Sequence, residues 1–178
     1  MVKKTMVVLC LCVVALSCAF AGKSSLVLQV SPFSYQNVSV SSTNYKSTYG
    51  FGFKAGYRYE VIKNLTVGAD VDLSLYKYKE LDKKYVVVGM RATGAYAFDF
   101  TEAFYGKAGL GLGLAVRAIG SKSQAAFDMQ ADFDLGFRLS EKVSITAGTD
   151  LELGFQKGKN SKSTDFSVKV ETGVEIKL

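Results

Sequence analysis

Asp128, Asp132, Asp134, Asp150 and Glu152 share one alternating phase of two neighbouring segments. Carboxylates gathered this way could serve as an acid/base pair or hold a cation. Arg91, Arg117 and Arg138 fall on the same phase, and with them the acids read equally as an ion-pair plug. The chain contains His 0, so histidine catalysis and histidine metal ligation are excluded. Gly109, Gly111 and Gly113 alternate within an apolar run. They do not open a helix after a strand, so they are no phosphate-binding loop. No residue is assigned a catalytic, cofactor-binding or metal-ligating role, and the chain is read as no enzyme.

Lysine is the second chemical signal. Lys77, Lys79, Lys83, Lys84, Lys157, Lys159 and Lys162 flank the alternating segments, with Lys46 and Lys122, against only Glu80 and Asp82. A rim of this kind would face lipid phosphates or a polyanionic surface. Its ligand class would be lipopolysaccharide or an anionic host surface; the plain alternative is solubilising edge charge. Nucleic acid is not expected, because the connections are short and would stand outside the cell.

The N-terminus carries an address. Lys3 and Lys4 precede an apolar run from Met6 to Leu16, and Ala19-Phe20-Ala21 closes it. Basic head, apolar middle and small-x-small exit predict a secretory signal peptide over 1–21, with a single mature domain over 22–178. All three cysteines, Cys10, Cys12 and Cys18, fall in that segment, so the mature chain would offer no disulfide, zinc site or thiol nucleophile. A lipidated Cys18 is the alternative, although the usual Leu three residues before it is missing.

After the leader, alternation with period two dominates, the signature of strands. Leu65, Val67, Ala69, Val71, Leu73 and Leu75 interleave with Thr66, Gly68, Asp70, Asp72, Ser74 and Tyr76. Six further stretches do likewise, and the phase of the first slips at Ser31-Pro32-Phe33, as at a bulge. Eight strands result. Across strands two to eight the apolar phase carries no charge, while the other carries Lys54, Arg58, Arg91, Lys107, Arg117, Arg138, Lys169 and Lys177 among eleven acids.

Three features place the apolar phase against lipid. The strands are longer than the usual five or six residues or so of globular ones. Apolar-phase aromatics collect at the strand ends, with Tyr57, Tyr59, Tyr96, Phe98, Phe100, Phe104, Phe133 and Phe137 at one rim. Tyr49, Phe51, Phe127, Phe155 and Phe166 gather at the other, as bilayer interfaces select. Connections are expected to alternate, short at one end and long over Ser41 to Thr48, Lys77 to Lys84, Gly120 to Gln124 and Lys157 to Thr164. The prediction is an all-β, eight-stranded, antiparallel up-and-down transmembrane β-barrel with a filled polar interior. Its inward glycines would make room for long Arg and Lys side chains.

This pattern resembles the small eight-stranded outer-membrane barrels of the OmpX/OmpA type. The run Val168, Val170, Thr172, Val174, Ile176, Leu178 resembles the C-terminal signal read by the barrel-assembly machinery, departing from its usual terminal Phe at Leu178. The resemblance implies a bacterial outer-membrane location, with outer-membrane lipid and that machinery as partners. Enzymatic barrels such as lipid A deacylases imply a catalytic His that this chain lacks. The functional expectation is a non-enzymatic structural or surface-interaction role. The rivals are a narrow porin-like channel, a lipid-modifying enzyme and a soluble periplasmic lipid carrier.

The remaining composition is compatible. The chain has 178 residues, 48% hydrophobic, 21% charged, Gly 17, Pro 1 and a formal charge of +6. A mean hydropathy of +0.15 excludes a bundle of membrane helices, and the apolar share excludes a disordered chain.

Overall fold

Alternating side chains give each strand two unlike faces, and a sheet closed on itself turns one face inward all round. The computed structural model describes residues 24–40, 43–78, 84–119, 122–157 and 162–178 as such a closed antiparallel barrel. Its strands are β1 (Ser24–Val40), β2 (Thr43–Ile62), β3 (Leu65–Tyr78), β4 (Lys84–Asp99), β5 (Phe104–Ile119), β6 (Lys122–Arg138), β7 (Val143–Lys157) and β8 (Lys162–Lys177). Each pairs with its sequence neighbour, and β1 closes on β8. The expected signal segment 1–21, with Cys10, Cys12 and Cys18, lies outside the described residues, as do Lys79, Lys83 and Lys159.

Following the ladders from Leu28 through Ala55, Val71, Met90, Leu114, Phe127, Phe155 and Thr164 returns to β1 at Ser39, eleven positions further on. One of the eleven is the extra residue where the β1–β8 register slips between Val30 and Phe33, and the remaining stagger of ten over eight strands corresponds to a tilt of about 41° at ordinary strand spacing and rise. Each residue then climbs about 2.5 Å along the barrel axis. The apolar run from Leu65 to Leu75 therefore spans about 25 Å, the height of a membrane-facing band.

Burial shows which face is which. Leu73 is 43% exposed, whereas its neighbours Asp72 and Ser74 are 2% and 1% exposed. The same inversion runs round the wall, with Leu112, Leu151 and Val170 exposed and Arg91, Asp150 and Lys169 buried. Phe98 packs edge-on against Phe100 at 5.3 Å, and Phe100 stacks on Phe104 at 5.4 Å, within the aromatic band at one rim.

The slip at Pro32 is a bulge: the β1–β8 register shifts between Val30 and Phe33. Pro lacks the N–H that a regular ladder position needs, and the bulge accommodates it. Asn64 closes the tight β2–β3 turn with φ 70, a left-handed conformation that Asn tolerates. Its N–H donates to Glu60 Oε1 at 2.9 Å.

Among the described residues the expected contrast of long and short connections is not found. β2 already begins at Thr43 and β6 at Lys122, so most of the anticipated loop residues continue the strands. Lys77 and Lys84 face each other as the last pair of the β3–β4 ladder. Polar composition gave these ends a loop-like character, and a register shift between Ser47 and Tyr49 hid the alternation in upper β2. Beyond the membrane edge the hairpins keep pairing, because the backbone ladder does not depend on apolar side chains.

An Arg at the centre of the outward wall tests the inversion. Val71→Arg is expected to destabilise the folded barrel by about 2–4 kcal/mol in lipid vesicles. Urea unfolding followed by tyrosine fluorescence measures it, and an unchanged midpoint would contradict a lipid-facing Val71.

Candidate functional site

The lumen is the densest assembly of functional side chains. Arg91 on β4 sits at its centre, fully enclosed. It pairs with Asp72 from β3, with Asp128 from β6 at 3.2 Å and with Glu152 from β7 at 2.8 Å. Lys169 on β8 reaches the same Asp72 at 3.2 Å and Glu152 at 2.6 Å. Arg117 on β5 extends the lattice outward, bonding Asp128 at 2.6 Å and Asp165 at 2.9 Å. A single chain of ion pairs therefore ties six of the eight strands together across the barrel. The backbone leaves room for it: a side chain on Gly113 would strike Arg91, and one on Gly154 would strike Arg117 and Asp165.

Below this level Lys54 joins Glu171 and lies 3.4 Å from Asp150. Arg58 grips Asp70 with two nitrogens, one bond measuring 2.9 Å. Nearest the termini, Glu175 accepts hydrogen bonds from Lys107 at 2.6 Å, Ser25 at 2.8 Å and Tyr105 at 3.1 Å.

The opposite end of the lumen is closed differently. Tyr76, Tyr78, Tyr85, Val38, Val87 and Ala115 form one buried cluster. Tyr78 meets Tyr85 edge-on at 5.6 Å, and the Tyr78 hydroxyl donates to Gln36 at 2.7 Å. This aromatic plug was not anticipated, although all three tyrosines lie on the inward phase.

The structure puts the anticipated network residues in four places. Arg91, Arg117, Asp128 and Glu152 meet in the Arg91 lattice. Asp150 belongs to the level of Lys54. Asp132 is buried opposite Asp150 on the β6–β7 ladder and forms no direct salt bridge among the described residues. Arg138 stands apart and corrects its expected place. It ends β6 at the turn-side rim, where it bonds Asp99 at 2.5 Å and the Glu102 carbonyl at 2.8 Å. Its guanidinium covers the Tyr105 ring at 4.7 Å. Phase aimed it inward, but its position at the strand end leaves it at the mouth.

Lys54, Arg58, Asp70, Asp72, Lys107, Asp134, Lys169, Glu171 and Glu175, all on the expected inward phase, complete the lumen together with Asp165. Asp165 falls between the expected loop, which ends at Thr164, and the alternating run that begins at Phe166; its signal is the parity it shares with Ser167 and Lys169. Six cations, Lys54, Arg58, Arg91, Lys107, Arg117 and Lys169, are buried against ten carboxylates among the described residues.

The rims differ in charge. At the turn side Lys63, Arg138, Lys142 and Lys177 stand among Glu60, Asp99, Glu102 and Glu141. At the far side Lys46, Lys77 and Lys84 point outward and are exposed, and no carboxylate shares the outward face there among the described residues. Lys157 and Lys162 pair at the end of the β7–β8 ladder.

Residues 14–178 match the protein family described as a domain of unknown function (DUF2715). No curated protein matches the chain. Among solved structures, Neisserial surface protein A (NspA) aligns with a TM-score of 0.63 at 19% identity, over 87% of this chain and 97% of that one. The outer membrane enzyme PagL aligns with a TM-score of 0.51 at 11% identity, over 84% and 99%. The outer membrane protein OprG from Pseudomonas aeruginosa aligns with a TM-score of 0.49 at 12% identity, over 89% and 97%. The fold is that of the small eight-stranded outer-membrane barrels.

Removing the central cation tests the lattice. Arg91→Met leaves three buried carboxylates without their shared partner and is expected to cost about 3–5 kcal/mol. Arg138→Met breaks a partly exposed pair and is expected to cost about 0–1 kcal/mol. The temperature at which the heat-modifiable gel band converts should fall far more for Arg91→Met; equal shifts would contradict a lumen centred on Arg91.

Proposed function

The chain belongs to the DUF2715 family, and we propose that it is a non-enzymatic, non-conducting outer-membrane barrel that works at its outer rim. Its role is structural or one of surface interaction, with adhesion or contact with anionic ligands as the specific form. The barrel-assembly machinery and outer-membrane lipid are its proposed partners. The observation that carries this reading is closure of the lumen at two levels, by the Arg91 lattice and by the Tyr76–Tyr78–Tyr85 cluster. An ion entering the barrel would have to displace a buried charge pair, which costs several kcal/mol. The absence of His argues against the histidine chemistry that the resemblance to deacylase barrels implies. PagL, an enzyme, shares the fold, so the argument against activity rests on side chains and not on the barrel.

A narrow channel is the second reading, and the excess of ten lumen carboxylates over six cations favours it. Such a leak would select cations. The refolded chain in planar bilayers separates the two: a silent bilayer is expected, and steady single-channel steps would replace the sealed barrel with the channel. Outer-membrane fractionation of the expressing cell tests location, and recovery in the soluble periplasm would overturn it.

A further inference from the structure

We propose that Lys77 and Lys84 form a binding site for the phosphate of an anionic lipid headgroup in the membrane leaflet at the barrel's far rim. This inference rests on the reading of the chain as a surface-acting membrane barrel and names a ligand for that rim. The two lysines are direct cross-strand partners, on the same outward phase as Leu75 and Val86. Side chains so placed have Cβ atoms about 5 Å apart, and like charges there repel. An anion between them removes the repulsion and is held by both ammonium groups.

Depth selects the anion. Lys77 follows Leu75, the last apolar residue of the outward β3 face, by two positions. At the barrel's tilt that is about 5 Å beyond the hydrocarbon edge, the level of headgroup phosphates. Tyr49 is the ladder partner of Lys77 and is 53% exposed, an amphipathic ring placed at the same interface. Thr48 fixes the local backbone by donating its hydroxyl to the Lys77 carbonyl at 3.1 Å. Lys46, exposed above the β2 register shift, adds a third cation.

No ion pair among the described residues involves Lys46, Lys77 or Lys84. The tip of the β3–β4 hairpin lies outside those residues and adds Lys79 and Lys83 against Glu80 and Asp82 in sequence. The opposite rim, where both signs alternate, offers no comparable site.

The full chain refolded in detergent and examined by native mass spectrometry tests the site. Phosphatidylglycerol and phosphatidylcholine serve as probes. The unaltered protein should retain phosphatidylglycerol preferentially. Lys77→Ser with Lys84→Ser should weaken that preference by about thirty-fold, at roughly fivefold for each lysine near an anionic surface. Lys63→Ser with Lys142→Ser, which removes the same charge from the other rim, should leave it intact. Heat-modifiable migration verifies that every variant is folded.

Equal preference in the Lys77/Lys84 variant would overturn the proposal, and so would an equal loss in the control. Displacement of the lipid by millimolar inorganic phosphate would reassign the site to a free anion. Capture of a soluble sulfated polysaccharide in place of the lipid would reassign it to a glycan. Conductance steps from the unaltered protein would remove the sealed-barrel reading without touching the lipid result.

Discussion

A peptide group facing hydrocarbon has no water to bond, and each one left unpaired costs several kcal/mol. Closure of β1 on β8 meets that constraint for this chain, because it leaves no sheet edge along the wall. Everything else follows from the closure. Eight strands enclose a lumen only wide enough for side chains, and the period-two geometry that turns leucines and valines to lipid turns the intervening polar residues into that lumen. The charges are therefore buried as a consequence of the wall, and their mutual arrangement decides whether the wall is stable.

That arrangement is a shared lattice more than a set of separate pairs. Arg91 touches carboxylates from three strands, and Asp128 is held by both Arg91 and Arg117. Isolated buried pairs seldom recover the cost of leaving water, whereas groups with several partners come closer. Arginine suits the central place because its planar fork offers donors in several directions at once. The glycines opposite it serve the same end. Gly113 and Gly154 carry no side chain where Arg91 and Arg117 must lie across the backbone. The tyrosine cluster above needs no such space and fills the lumen with rings, so the two closures are built from different chemistry.

The sequence made the faces of β3 to β8 legible because alternation is a geometric property of strands and survives without any tertiary information. It was less legible where the geometry is broken. The bulge at Pro32 showed as a slip in phase, but the register shift near Thr48 disguised upper β2 as a loop. Height was the other hidden quantity. Phase alone sends Arg138 inward with Arg91, yet its place at the end of β6 leaves it at the rim, bonded to Asp99. Asp165 was lost for the opposite reason: it lies in a polar stretch that continues β8 into the lumen and meets Arg117 there. Tyr76, Tyr78 and Tyr85 had the right parity, but their meeting across β3 and β4 depends on register, which alternation does not fix.

The rims carry the remaining information, because they are where the two ends of an otherwise uniform cylinder differ. An even number of strands brings both described termini to one end, where the Leu178 N–H bonds the Ser24 carbonyl at 2.9 Å. That end mixes acids and bases in equal number, and Arg138 there pairs with the Asp99 carboxylate and donates to the Glu102 backbone carbonyl. At the other end the described outward residues offer lysines without acids beside them. A neutral mixed rim is self-contained, whereas a one-sign rim repels itself and is relieved only by counter-charge from its surroundings. A barrel with a sealed lumen meets its surroundings only through its wall and its rims. The wall is matched to lipid and the turn-side rim to itself, which leaves the lysine rim as the surface whose charge is completed from outside.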